Sequence, residues 1–195
     1  ILSKKVKCKS NEILLFSTGI IGKQLPIKII EKNIVSTDYD YKSSWKDASK
    51  AIMTTDKYNK IISRKIIVSG KRISVHAICK GAGMIEPNMA TMLAFLTTDI
   101  SATNLELQSI LTDAVNKSFN RITIDGDMST NDSVVLLANN ATGINLEKEE
   151  TKVVERFSEA VAEVCSCLAR KCVSDGEKVT KFVKVRVNGA KNNED

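Results

Sequence analysis

Between Val153 and Cys172 the apolar residues Val154, Phe157, Val161, Val164, Leu168 and Cys172 recur every three to four positions, which is the spacing of one helix face. A helix with a single apolar face must bury it against another layer, so this stretch commits the chain to a layered fold. The strand candidates supply that layer. Lys65–Val68 and Arg72–Ile78 read as two strands joined around Ser69-Gly70-Lys71, a hairpin signal. Glu12–Ser17 reads as a buried strand, Arg121–Ile124 and Ser133–Leu137 as short strands, and Lys181–Val187 alternates and closes as a strand. Ala90–Thr98 is apolar and fits either a strand or a buried turn. Ala102–Phe119 has helical spacing, Trp45–Met53 reads as a helix capped by Ser43 or Ser44, and Pro26 suits the first turn of a short helix or a loop. Strands and helices alternate irregularly, with a hairpin among them. That predicts mixed α/β (α+β) layers rather than a regular parallel sheet.

With 195 residues, 43% of them apolar, the chain can bury one real core or two small ones. It holds no run of 18 apolar residues, so no segment reads as a bilayer span. Ile1–Ser10 carries four lysines with no apolar stretch after them, unlike a secretory signal. The chain starts in mid-pattern without methionine and ends in linker-like residues, so it reads as a segment of a longer protein. Residues 1–90 hold 17 Lys/Arg against 7 Asp/Glu, and residues 91–195 hold 12 against 16. The lysines are scattered singly, aromatics are 5%, and no arginine cluster occurs, which argues against nucleic-acid binding. Five cysteines, an odd number, read as reduced thiols. Cys165, Cys167 and Cys172 fall on the predicted helix, where Cys165 and Cys172 stand roughly 10 Å apart along the axis and cannot share one zinc ion.

The sequence excludes several chemistries. His76 is the one histidine, inside a predicted strand, and no G-x-S-x-G elbow accompanies it. H-E-x-x-H, paired C-x-x-C and glycine-rich phosphate loops are absent. Asp125–Asp132 spaces its oxygen ligands like a calcium loop, but Thr130 and Leu136 stand where such a loop needs glycine and glutamate. It reads as a hydrogen-bonded turn after a strand. A hydroxyl nucleophile needs a base. One route without histidine is a threonine freed at a new chain start, whose α-amine has an ordinary pKa of about 8. Periodicity gives no sign of such a cut.

A longer motif does. Lys80-Gly-Ala-Gly-Met-Ile-Glu-Pro-Asn-Met-Ala-Thr-Met-Leu-Ala-Phe-Leu-Thr-Thr-Asp99 resembles the self-cleavage segment of the ornithine acetyltransferase (glutamate N-acetyltransferase) family, the bifunctional enzymes of arginine biosynthesis. Further segments agree in order: Ser17-Thr-Gly-Ile-Ile-Gly22 with Leu25-Pro26, Ala51-Ile-Met-Thr-Thr-Asp56, Ser118-Phe-Asn-Arg-Ile-Thr-Ile-Asp-Gly-Asp-Met-Ser-Thr-Asn-Asp132, Asp175-Gly-Glu177 with Thr180-Lys181, and Asn188-Gly-Ala-Lys191. The resemblance covers essentially all 195 residues, as the central part of a protein about twice as long. Three places depart from the pattern. His76-Ala77-Ile78-Cys79 replaces a glycine-rich stretch, Lys57 stands where a small hydroxyl residue is frequent, and Lys178 stands where glycine is common.

The resemblance implies an ornithine acetyltransferase-like fold cut between Ala90 and Thr91. Residues 1–90 would form one chain and residues 91–195 the start of the other, intertwined in one domain. Thr91 would be the nucleophile and its freed α-amine the base. Thr18 and Gly19 would hold the oxyanion, and Thr54, Lys80, Thr91 and Glu177 would bind substrate. Acetyl would pass from N-acetylornithine to glutamate with no metal or organic cofactor, acetyl-CoA being a further possible substrate. The assembly implied is a heterotetramer of two α and two β chains, in bacterial cytoplasm or a eukaryotic organelle, without nucleic-acid or membrane partners. Two rivals stand beside this: a related self-processing amidase or aminopeptidase, and an inactive truncated relative. The charge split suggests that the basic and acidic pieces attract one another.

Overall fold

The computed structural model describes residues 1–38, 44–68, 70–85, 92–127, 129 and 131–192. Its centre is a four-stranded sheet of β1 (Lys60–Val68), β2 (Lys71–Lys80), β3 (Leu93–Thr98) and β4 (Ser133–Ala138), in that order. β1–β2 and β2–β3 are antiparallel, whereas β3–β4 is parallel. Val68 pairs with Lys71 across the predicted hairpin, and Gly70 turns the chain at φ 73°. Ser69 lies outside the described residues. Mixed α/β layering is thus observed, with β3 resolving the strand-or-turn ambiguity in favour of a strand.

The 24-residue helix α5 (Thr151–Ser174) covers one face of the sheet. Phe157, Val161, Val164, Leu168 and Cys172, the face predicted from spacing, are all fully buried. They meet Ile73, Val75, Ala77 and Cys79, which alternate inward along β2. The departure at His76–Cys79 fits here. Cys79 Sγ lies 3.4 Å from Cys172 Sγ in the core, while His76 faces the opposite side and stacks on Trp45 at 6.4 Å. Helix α4 (Asn104–Asn116) packs beside α5 and starts in a capping box. Thr103 N–H donates to Glu106 Oε2 at 2.8 Å, and Glu106 N–H donates to Thr103 Oγ1 at 3.3 Å. On the second face sits α3 (Trp45–Ala51), whose cap is Ser44, accepting from Asp47 N–H at 3.2 Å. The short helix α1 (Leu2–Val6) and α2 (Ile27–Ser36), which follows Pro26, bury no residue.

Three expected strands are not strands. The Glu12–Ser17 segment joins no described ladder: Glu12 ends a 3-10 turn, and Leu14 and Leu15 are exposed. Phe16 anchors it, edge-on to Phe95 of β3 at 5.2 Å. The 121–124 segment follows a 3-10 turn (Phe119–Arg121), and its Ile124 N–H bonds Ile85 O at 2.7 Å rather than a ladder. The 181–187 segment alternates but stays exposed, and no described strand pairs with it. Alternation marks a face, while a strand also needs a neighbour for its peptide groups.

The turn after α5 explains another departure. Lys178 adopts φ 59°, the left-handed region that a glycine occupies freely. Two residues earlier, Gly176 is required by space: a Cβ there would lie 2.5 Å from Val179 Cγ2 and 2.9 Å from Ile124 Cγ2. Lys178→Gly should stabilise the protein by about 0.5–1 kcal/mol, the relieved strain less the chain entropy that glycine adds. Urea unfolding measures this, and a loss of stability would contradict the left-handed turn.

Candidate active site

β1, β3 and β4 begin, and β2 ends, at one end of the sheet, where register places Lys60 opposite Cys79, Lys80 opposite Leu93, and Leu93 opposite Ser133. The C-terminus of α5 arrives at the same end. What joins these pieces is a buried charge cluster. Lys60 has no exposed surface, and its Nζ lies 2.5 Å from both Asp56 Oδ1 and Asp175 Oδ2. Each carboxylate also holds backbone. Asp56 accepts from Gly81 N–H at 2.8 Å and Thr54 N–H at 3.1 Å, and Asp175 accepts from Lys57 N–H at 3.1 Å. Burial works to raise the Asp56 pKa, but the Gly81 N–H, the Lys60 ammonium and the Thr54 N–H outweigh it and hold the carboxyl below its usual value. Burial works to lower Lys60, and its bonds to Asp175 and Asp56 outweigh that and raise it. These buried charges are compensated, the condition under which they are tolerated.

A second clamp fixes the loop after β2. Asp125 accepts from Met84 N–H at 2.6 Å, Ile85 N–H at 3.0 Å and Asp127 N–H at 3.3 Å. That is the work of a turn anchor, as expected for the 125–132 segment. Glu177 N–H donates to Ala82 O at 2.7 Å, tying the post-α5 turn to the same loop. A Cβ on Gly83 would lie 3.1 Å from Glu177 Cδ and Oε1, so the glycine lets this carboxylate approach.

These clamps frame a cleft of roughly 530 Å³ lined by Thr18, Gly19, Thr54, Gly83, Asp125 and Glu177 among others. Four residues singled out in the sequence thus meet: Thr18, Gly19, Thr54 and Glu177. An adjoining hollow is lined by Thr18, Gly19, Met84, Leu93 and Asn131. Lys80 does not line the cleft. It is buried at the end of β2, and burial lowers its pKa against the pull of Asp56 and Asp132. Ala90 and Thr91 lie outside the described residues. Lys57 points its Nζ at Gly176 O, 3.3 Å away, and so supports the turn that presents Glu177.

Sequence reasoning passed over Asp56, Lys60 and Asp175 as site residues, and weighed Asp125 and Asp132 only within a calcium-like loop read as a turn. Asp56 and Lys60 are spaced i, i+4, and both Asp56 and Asp175 sit inside quoted motifs. Nothing local announces that Lys60 finds a second carboxylate 115 positions along the chain.

The ArgJ family model matches residues 1–195. The arginine biosynthesis bifunctional protein ArgJ, mitochondrial, of Dictyostelium discoideum is 43% identical over 195 residues, which is 100% of this chain and 44% of the relative. The glutamate N-acetyltransferase of Methanocaldococcus jannaschii is 47% identical over 189 residues, 95% of this chain and 46% of the relative. A solved structure of arginine biosynthesis bifunctional protein argJ from Bacillus halodurans is 40% identical, covering 45% of this chain and 41% of its own with TM-score 0.42. The chain spans about half the length of the curated relatives it matches.

Lys60→Met removes the shared cation and leaves two buried carboxylates, so it should lower stability by about 3–5 kcal/mol. Urea unfolding checks this, and an unchanged midpoint would contradict the cluster. The Asp56 contribution is complete above the ordinary value of 3.8 and is lost as pH falls through the lowered folded value. Stability below about pH 4 should therefore fall more steeply in the wild type than in Asp56→Asn.

Proposed function

The chain belongs to the ArgJ family, and from that premise we propose that it is the central part of an arginine-biosynthesis acetyltransferase that moves acetyl from N-acetylornithine to glutamate through Thr91. The observation that carries this is the cleft in which Thr18, Gly19, Thr54 and Glu177 converge from three distant stretches of chain. Leu93, two residues after Thr91, lines the adjoining hollow with Thr18 and Gly19, which supports a nucleophile at this end of the sheet.

In this reading the chain cuts itself between Ala90 and Thr91, water adding across that peptide bond to leave a carboxylate on Ala90 and an α-amine on Thr91. The Thr91 Oγ then bonds to the acetyl carbonyl carbon while its proton passes to the Thr91 α-amine. The Thr18 hydroxyl and the Gly19 N–H donate to the resulting oxyanion, the most demanding charge of the reaction. The intermediate collapses, the C–N bond breaks, and ornithine leaves with the proton. Glutamate's amine attacks the acetyl ester by the reverse sequence and regenerates Thr91. Glu177 suits a substrate ammonium and Thr54 a substrate polar group, while Lys80 gives the site a buried positive charge. Acetyl-CoA would be a second acetyl donor. The cut would separate residues 1–90 from 91–195. The β2–β3 ladder, the shared core and the Lys60–Asp175 pair support the pieces staying joined. The exposed pair Arg64–Glu163 at 2.7 Å adds little.

Intact mass under denaturing conditions tests the cut in the full-length protein. The wild type should give two pieces, one beginning at Thr91, and Thr91→Ala should give one uncut chain; an uncut wild type would overturn the reading. Thr18→Ala should lower kcat for acetyl transfer about 100- to 1,000-fold with the cleaved chain still folded. Steady-state kinetics with N-acetylornithine and glutamate measures it, and a loss confined to KM would remove Thr18 from the oxyanion role.

A further inference from the structure

The core holds two cysteine side chains against one another. Cys79 points inward from the end of β2, and Cys172 lies in the last turn of α5. Their sulfurs are 3.4 Å apart, and neither residue has exposed surface. Both are free thiols, as are Cys8, Cys165 and Cys167. A disulfide holds its sulfurs about 2.05 Å apart, so an approach of roughly 1.4 Å would bond this pair. Helix ends open more readily than helix middles, and Cys172 sits at such an end. Burial, then contact with the Cys172 thiol, pushes the Cys79 thiol well above its ordinary value, while the Lys60 ammonium pulls the other way. Such a thiol reacts slowly, and only an oxidant hardly larger than water can reach it in the folded protein. Cys79 also belongs to the stretch that departs from the family pattern, so the pair is a property of this chain.

We propose that Cys79 and Cys172 are a peroxide-sensitive pair whose disulfide ties the end of β2 to the end of α5. One thiolate sulfur bonds to a peroxide oxygen, the O–O bond breaks, and the departing hydroxide takes the thiol proton and leaves as water. The second sulfur then attacks the sulfenic acid so formed. The S–S bond forms, the S–O bond breaks, and a second water leaves with the second thiol proton. Two thiols are oxidised and one peroxide is reduced to two waters. The bond would close a span of 93 positions. It would also brace the buried charge cluster, since Cys79 pairs with Lys60 in register and Asp175 N–H donates to Cys172 O at 3.1 Å. On the reading given under Proposed function it would join the two pieces that the cut separates, although the bond itself does not depend on the cut.

The test treats the full-length folded protein with hydrogen peroxide, alkylates the remaining thiols in denaturant without reductant, and maps the peptides by mass spectrometry. A peptide pair joined through Cys79 and Cys172 should appear. Dithiothreitol should separate it, and Cys79→Ala, which exchanges one small buried side chain for another, should abolish it. Cys79 and Cys172 both taking the alkylating reagent, while Cys8 or Cys167 is oxidised, overturns the proposal. So does a joined pair that forms only when the peroxide is added in urea, because the folded contact is then not its source. A cut protein should in addition run as one species without reductant and two with it. An uncut chain that carries the joined pair sinks the reading of the cut and leaves this inference standing.

Discussion

The Lys60 ammonium, shared between two buried carboxylates, is the interaction on which this site depends. One cation ties the loop carrying Thr54, the end of β2 at Lys80 and Gly81, and the turn carrying Glu177. These stretches lie far apart in sequence, and none is a regular element at the point where it contributes. Loops of this kind adopt one arrangement only when something over-determines them, and low-dielectric charge pairing does so with directional bonds. The second clamp at Asp125 does the same for the 84–85 turn. The two together leave Glu177 lying over Gly83, a contact that a side chain at position 83 would close.

The sheet gives the arrangement its second property. β2 ends at Lys80 and β3 starts at Leu93, and the two are hydrogen-bonded neighbours. A cut between them would leave the ladder, the α5 contacts and the buried charge pair in place. A chain can therefore be opened at this point and keep its core, because what holds it is lateral pairing and burial rather than connection through the loop.

The fold was legible where one residue pattern sufficed. The α5 face, the 68–71 hairpin, the Ser44 cap and β4 all follow from local spacing and turn chemistry. It was illegible where partners decide. The 12–17 and 181–187 segments carry strand composition, yet no described strand takes their peptide groups, and neither becomes a strand. Of the site, the motif resemblance singled out Thr18, Gly19, Thr54 and Glu177, which do converge. It also singled out Lys80, which is buried instead of lining the cleft. The Lys60 cluster that holds the site together was not singled out, since Lys60 lies before the predicted Lys65–Val68 strand and a lone lysine reads as surface until its distant carboxylates are known. Lys178 illustrates the reverse: an apparent departure from the family pattern becomes a specific backbone strain once φ is known.

Peptide mapping by mass spectrometry, after the full-length protein is mixed with N-acetylornithine and no glutamate, tests whether Thr91 carries the acetyl group. One acetyl group should appear on the peptide that begins at Thr91 and be discharged when glutamate is added. An enzyme that transfers acetyl while that peptide stays unmodified, or that carries the acetyl group elsewhere, would contradict it.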